Sequence, residues 1–246
     1  MKCEFCDTKL EAVDKIFINC PECYYFVKKD KKPYSTKGTA WEGDHLKIYL
    51  EGESWRTKVF ESRLNLLKEI APKAKSILDV GSAAGLFGKV ASDKFETVGL
   101  VEPDEAFASH SQKLNPKAKH FEDISEVQKR FDIITIFDTI GYTLDLGNFI
   151  EELVDRLNPG GLLFASSIEP GEGLTNRADL SFNYYLNLLF WEKIINDYYP
   201  LEDFRIWTEA KTFNTAAQGS AEWWRDYLFL DEVEIMNYAI YKKEKE

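Results

Sequence analysis

All four cysteines of the 246-residue chain lie within its first 23 residues, as Cys3-x2-Cys6 and, thirteen residues later, Cys20-x2-Cys23. Each knuckle presents two thiolates from one tight turn, and two knuckles at this separation suit a tetrahedral zinc. Four thiolates leave no open coordination position, so the metal expected here is structural rather than catalytic. Disulfides are the competing reading, and reducing compartments disfavour them. A second constellation begins at Asp79 and runs through Gly81-Ser82-Ala83-Ala84-Gly85, with Glu102 twenty-one residues beyond Gly81. Gly81 and Gly85 allow close approach of the backbone to a ligand. A helix starting just after them offers free N–H groups to an anionic group. A carboxylate at Glu102, if it ends the next strand, is placed to accept hydrogen bonds from both hydroxyls of a ribose.

These residues need particular elements to hold them. Residues 1–30 are expected to form a ribbon around the metal, with Ile16, Phe17 and Ile18 as the main apolar content of a weakly alternating Leu10–Asn19 stretch. So short a segment cannot bury enough surface to fold alone, and the metal would supply its folding energy. A linker or cap segment follows over 31–52. Trp55, Val59, Leu64, Leu67 and Ile70 then recur at near-helical spacing, predicting a helix over Glu53–Ile70 that Pro72 stops. Ser76–Val80 reads as a short apolar strand, Leu86–Phe95 as a helix and Thr97–Val101 as the next strand. Strand, small-residue turn and helix together form the nucleotide-binding start of a doubly wound sheet. Further along, Leu180–Tyr199 reads as a broadly apolar helix, and Phe204–Phe213 and Glu234–Lys243 as two final antiparallel strands. Trp223, Trp224 and Tyr227, between those strands, are expected to be core rather than pocket lining.

The dinucleotide fingerprint G-x-G-x-x-G fails here, because its third and sixth positions are Ala83 and Leu86. An acid two residues before the first glycine is natural where a cationic amino-acid ligand must be held, which favours S-adenosylmethionine. At this point the chain resembles the class I methyltransferases, in particular the bacterial methyltransferase-domain family whose members often follow a cysteine-rich segment. The resemblance rests on LDVGSAAGLF (78–87), VGLVEPDEAF (98–107), Phe121-Glu122-Asp123-Ile124, FDIITIFDTIGYTLDL (131–146) and LNPGGLLFAS (157–166). It implies a methyltransferase domain over 53–246, built as a Rossmann-like α/β fold with a seven-stranded mixed sheet and helices on both faces. It implies that Asp79, Gly81, Ser82, Ala83 and Gly85 surround the methionine part of the cofactor, Glu102 the ribose, and Asp123 with Ile124 the adenine. Asp138 would lie beside the methionine amino group or the methyl acceptor.

Two departures from the family pattern matter. Ala83 stands where the family has a glycine, which is tolerable if its φ is negative. Gly141-Tyr142 stand where Glu-His is common, which removes the usual general base. The remaining catalytic candidates are Asp138, Tyr142 as a hydrogen-bond donor to an acceptor, and His45, since the segment before such domains often folds over the site. His110 and His120 read as ordinary polar residues.

Charge narrows the function classes. The net charge is −11, yet residues 1–40 hold eight lysines and six acids, a balance of +2 that leaves −13 on the remainder. An acidic body repels polyanions, so extended nucleic-acid contact is disfavoured unless the ribbon supplies it. No stretch approaches the ~18 uninterrupted apolar residues of a membrane span, and the N-terminus has no secretory pattern, so a cytoplasmic location is expected. The expected function is methyl transfer from S-adenosylmethionine to a small molecule, such as a sugar or a cell-surface glycan precursor. An RNA methyltransferase using the ribbon for contact, and a non-catalytic cofactor- or partner-binding protein, are the alternatives. The acceptor atom and the oligomeric state are not legible in the sequence.

Overall fold

The computed structural model describes residues 1–33, 44–168, 182–186, 189–191, 193, 201–210 and 235–243. Three short strands come first: β1 (Glu11–Ala12), β2 (Phe17–Cys20) and β3 (Tyr25–Lys28). Helices α1 (His45–Glu51) and α2 (Glu53–Ile70) follow, the second with the bounds its apolar spacing predicts. Then β4 (Ser76–Val80), α3 (Leu86–Ala91), β5 (Thr97–Val101), α4 (Glu105–Leu114) and β6 (Lys119–Phe121) alternate. The chain continues through β7 (Phe131–Phe137), α5 (Leu146–Asp155), β8 (Leu157–Ile168), β9 (Tyr184–Leu186), β10 (Leu201–Ala210) and β11 (Ile235–Lys243).

The main sheet has the order β10-β11-β8-β7-β4-β5-β6. Its five strands from β8 to β6 are parallel, and β11 and β10 extend it by antiparallel pairing. The chain leaves β4 toward β5 on one side and returns on the other side as β7, so the strand order reverses at β4. In open parallel sheets a ligand crevice forms beyond the carboxyl ends of the strands at such a reversal. Alternation along the strands sends side chains into two separate cores. Ile77, Ile133 and Leu162 join Leu64, Leu67 and Phe87 of α2 and α3 on one face. Leu78, Ile134 and Leu163 join Leu146, Ile150 and Leu153 of α5 on the other. Each fully buried residue of this size contributes about 1.5–3 kcal/mol, so both faces are firmly covered.

Three expectations need correction in the body of the fold. The helix predicted over Leu180–Tyr199 begins instead as strand β9, which pairs antiparallel with β3 through Tyr25↔Leu186, Phe26↔Tyr185 and Val27↔Tyr184. All three β9 residues are buried. A strand buried on both sides shows no alternation, and its apolar run is indistinguishable from a buried helix. Residues 189–191 and 193 are helical; the rest of that prediction lies outside the described residues, as do Trp223, Trp224 and Tyr227. The helix after the glycine turn stops at Ala91 rather than at Phe95. Of the final strands, the first begins three residues ahead of its predicted start, at Leu201, with 211–213 of that prediction outside the described residues, and the second is described over Ile235–Lys243 and ends where predicted.

The N-terminal segment is joined to the body rather than set apart from it. With β9 it makes a four-stranded sheet of order β1-β2-β3-β9. Cys3, Cys20, Cys23, Tyr25 and Val27 share one continuous core with Ile140, Leu146, Tyr184, Leu186 and Trp191. A polar contact adds to this, the Gly147 N–H donating to the Glu4 carboxylate at 3.1 Å. Among the described residues no helix is long and apolar enough to cross a membrane.

Candidate functional site

The crevice is built at the carboxyl ends of β4, β5 and β7. In the β4–β5 register, Asp79 stands opposite Leu100 and Val80 opposite Val101, so the turn at Gly81 and the carboxylate of Glu102 leave the sheet side by side. Gly81 and Gly85 both have φ of 78°, a left-handed conformation that glycine adopts without cost. Space requires them too: a Cβ on Gly81 would overlap the Thr139 side chain, and one on Gly85 would overlap Ser111 and Asn115. Between them the Ser82 hydroxyl is buried without a hydrogen-bond partner among the described residues. A buried donor left unpaired costs about 1–3 kcal/mol, so a ligand that pairs it gains affinity.

Ala83 departs from expectation. Its φ is 46°, in the left-handed region rather than at the negative value expected. For a residue with a Cβ this conformation costs roughly 1–2 kcal/mol. Glu102 accounts for its persistence, because one carboxylate oxygen accepts from the Ala83 N–H at 2.7 Å. The other accepts from the Asp104 N–H at 2.9 Å. Glu102 is only 9% exposed, and burial raises its pKa against the pull of these two amides. The residue is thus a clamp on the turn as well as an acid in the crevice. A carboxylate has about four lone-pair sites, so two acceptors remain for a ligand's hydroxyls.

Asp79 is 4% exposed, and its Oδ1 accepts from the Thr135 hydroxyl at 2.7 Å. Burial pushes its pKa up to about 7; the Glu102 charge adds to the rise, while Thr135 and Arg63 oppose it. A carboxyl poised in this way ionises readily when a cation is brought to it. Asp138 directly follows β7 with φ of 57° and is fixed by Ser166, whose hydroxyl donates to Oδ1 at 2.6 Å and accepts from the Asp138 N–H at 3.1 Å. It lines a small pocket with Ile140, Gly141, Ser167, Phe182 and Tyr184.

Asp123, Ile124 and Tyr142 make the following contacts within the protein. Asp123 is exposed and caps a single 3-10 turn, its Oδ1 accepting from the Ser125 N–H at 2.8 Å and hydroxyl at 2.6 Å. Ile124 puts its side chain into the core. The segment still borders Glu102, whose N–H donates to the Phe121 carbonyl at 3.0 Å. The Tyr142 ring packs against Phe182 with centroids 4.4 Å apart and planes tilted by 32°. His45 does fold over the crevice, with Nε2 3.0 Å from the Asp104 carboxylate and its ring 4.9 Å from Phe107. That position is at the Glu102 end of the site. His110 and His120 bond the carbonyls of Ala84 and Asn115.

The sequence names a cap segment and His45 but not Tyr49, Arg56 and Arg63, which also border the crevice. Tyr49, on α1, packs 5.3 Å from Phe107, and the Arg56 guanidinium lies 4.1 Å over its ring. Burial pushes the Tyr49 phenol up to about 12; Arg56 lowers it, and Asp79, Asp138 and Glu102 together raise it. Its hydroxyl therefore lies within electrostatic reach of all three acids. Arg63, buried on α2, sits 4.3 Å over Phe137 and exerts its charge on Asp79. The available signal was the aromatic and arginine content of residues 45–63, which the helical periodicity of α2 concealed.

In the N-terminal ribbon the four cysteine sulfurs lie within 4.8 Å of one another, with Cys3–Cys23 at 3.7 Å and Cys6–Cys20 at 3.6 Å. A tetrahedral zinc with ~2.3 Å bonds holds its sulfurs about 3.8 Å apart, so the donor set fits that ion. All four thiols are free, and the sulfurs are oriented by N–H donors from Phe5 to Cys3 and Cys23 to Cys20 and by the Tyr25 hydroxyl to Cys3.

Comparison with known proteins gives the family. The model of a methyltransferase-domain family matches residues 53–218, more than half of the chain. A ubiquinone biosynthesis O-methyltransferase of Coxiella burnetii is 28% identical over 109 residues, covering 41% of this chain and 47% of that protein. A dTDP-3-amino-3,4,6-trideoxy-alpha-D-glucopyranose N,N-dimethyltransferase of Streptomyces venezuelae is 25% identical over 134 residues, 50% of this chain and 56% of that one. The chain thus spans about half the length of the curated relatives it matches. In fold it is similar to a Haemonchus contortus phosphoethanolamine N-methyltransferase solved with S-adenosyl-L-methionine, at a TM-score of 0.60 and 18% identity over 75% of this chain and 53% of that one. With the glycine turn, the acid-ended strands and the strand order all in place, the chain belongs to the methyltransferase-domain family of the class I, S-adenosylmethionine-dependent kind.

Proposed function

We propose that this chain transfers a methyl group from S-adenosylmethionine to a small-molecule acceptor. The observation that carries the reading is the pairing of Asp79 and Glu102 at the ends of two adjacent parallel strands, flanking the left-handed Gly81–Gly85 turn with its unpaired Ser82 hydroxyl. Asp79 would receive the cationic amino group, the free lone pairs of Glu102 the ribose hydroxyls, and Ser82 a polar atom of the methionine part. Arg56 and Arg63 bring the positive charge that the ligand's carboxylate needs. Asp123 and Ile124 would border the adenine through their backbone, since the carboxylate and the isoleucine side chain are engaged elsewhere.

The cofactor supplies a sulfonium methyl open to in-line displacement with a neutral leaving group. The protein's task is then alignment, which can lower a barrier by up to ~7–11 kcal/mol. Asp138, held by Ser166 at the end of β7, stands where it can orient an acceptor or take its proton. Its neighbours Phe182 and Tyr184 give the acceptor side an aromatic wall. The relatives methylate oxygen in one case and a sugar nitrogen in the other, which supports a small acceptor without choosing between them. The balance of −13 beyond residue 40 stands against a nucleic-acid substrate. Zinc in the Cys3, Cys6, Cys20 and Cys23 cluster is part of the same proposal, in a structural role.

Incubation with methyl-labelled cofactor and a whole cell extract, followed by separation of small molecules from RNA and protein, tests the activity. Label should appear in a low-molecular-weight product and be lost in Asp79→Ala. Label confined to RNA would contradict the acceptor class.

A further inference from the structure

Residues 182–186 belong to two structures at once. Toward the N-terminus, β9 is the fourth strand of the cysteine ribbon. Toward the crevice, Phe182 and Tyr184 line the pocket beside Asp138. Asn183, 2% exposed, lies between them and bonds to both sides. On the ribbon side its carbonyl accepts from the Lys28 N–H at 2.9 Å, its Oδ1 accepts from the Lys32 N–H at 3.0 Å, and its Nδ2 donates to the Lys32 carbonyl at 2.7 Å. On the crevice side its N–H donates to the Gly141 carbonyl at 2.7 Å, and Nδ2 also reaches the carbonyls of Tyr142 at 3.1 Å and Thr143 at 3.2 Å. Every polar atom of this residue is thus spent on holding the turn after Asp138 against the ribbon.

We propose that the cysteine ribbon is a positioning element of the acceptor half of the crevice, acting through Asn183. A metal in the four thiolates fixes β3, β3 fixes β9 by pairing, and Asn183 fixes the 139–143 turn that follows Asp138. This rests on the assignment of the Asp138 pocket to the acceptor. Gly141 serves the same contact, since a Cβ there would overlap Phe182 and the Tyr184 carbonyl. The arrangement is one-sided. Among the described residues, the core formed by α2, α3 and their face of β4, β5 and β7 contains no ribbon residue and nothing from 182–193, whereas Leu78, Val80 and Val101 on the other face join the core that the ribbon shares. The Asp79–Glu102 end of the crevice is therefore held from the α2–α3 side as well, while the 139–143 turn is tied to Asn183 directly, so ribbon and Asn183 act chiefly on acceptor geometry.

Hydrogen exchange followed by peptide mass spectrometry tests this on the full chain, before and after chelation of the metal, and in Asn183→Ala and Asn183→Asp. Both metal removal and Asn183→Ala should speed exchange of the amides of 139–143 by about tenfold or more, with 76–80 and 97–101 unchanged. Asn183→Asp keeps the acceptor for Lys32 but loses the donors to Tyr142 and Thr143, and should also release the turn. Metal content should stay at that of the parent in both variants, and affinity for S-adenosylhomocysteine by calorimetry should stay within about threefold. An unchanged 139–143 turn in the variants, or an equal speeding at 76–80 and 97–101, overturns the proposal. Failure of the parent protein to bind S-adenosylhomocysteine would instead count against the methyltransferase reading, and the exchange result would stand apart from it.

Discussion

Replacing Glu102 by alanine removes the acceptor of two backbone amides, Ala83 N–H at 2.7 Å and Asp104 N–H at 2.9 Å. A buried donor stripped of its partner costs about 1–3 kcal/mol. The change also relieves the burial of a carboxylate, which works in the opposite direction. The net loss of stability without ligand should therefore fall near 1–3 kcal/mol, measured by urea denaturation at constant m-value. Ala83, held at φ of 46° by the lost carboxylate, should relax, and the turn around Ser82 with it. Cofactor affinity should fall further, because two hydrogen bonds from ribose to a charged group are worth about 1.5–3 kcal/mol each. By calorimetry with S-adenosylhomocysteine the loss of one bond alone is at least ~10-fold, and of both at least ~100-fold. Glu102→Gln keeps one oxygen but turns an amide NH2 toward a backbone donor, so it should lie between the two on both scales. Unchanged stability would refute the clamp on the turn. Unchanged affinity would refute the assignment of β5 as the ribose strand.

The remaining predictions follow from the same site and from the ribbon. Because burial raises Asp79 to about 7, the folded protein holds that proton more tightly than the unfolded chain does. Stability without ligand should therefore decline as pH rises from about 4 to 7. Binding of the cationic amino group runs the other way, so affinity for S-adenosylhomocysteine should fall as pH drops through about 7, approaching tenfold per unit; a flat profile would remove Asp79 from the amino-group site. Ala83→Gly places the residue suited to a left-handed φ in that position and should raise stability by about 1 kcal/mol; a loss of that size would contradict the strain. Cys20→Ser should drop zinc from one equivalent to below about half by elemental analysis, and a retained full equivalent would show that the cysteines do not bind it.

Much of the cofactor half was legible because it is local. Ser76–Val80 and Thr97–Val101 are short, doubly covered strands bounded by turn residues, and both appear with the predicted bounds. The helix over Glu53–Ile70 likewise follows from its apolar spacing and the proline beyond it. What the sequence hid depends on partners far along the chain. Asn183 bonds to Lys32 and to Tyr142, and no local pattern announces a residue whose contacts are 151 and 41 positions away. β9 resembles a helix in sequence because Tyr184 and Tyr185 are buried in different clusters on opposite sides, which erases the period of two. Glu102 was legible as an acid at a strand end but not as the clamp on Ala83, since that bond exists only once two neighbouring strand ends are brought together. The left-handed φ of Ala83 was hidden for the same reason.

The most direct test of the central claim is a calorimetric titration of the metal-loaded protein with S-adenosylhomocysteine and, in parallel, with NAD. The crevice described by Asp79, Gly81, Ser82, Gly85 and Glu102 predicts saturable binding of S-adenosylhomocysteine at one site per chain, weakened at least ~10-fold by Glu102→Ala, and little binding of NAD. Equal or tighter binding of NAD, or no binding of S-adenosylhomocysteine, would contradict it.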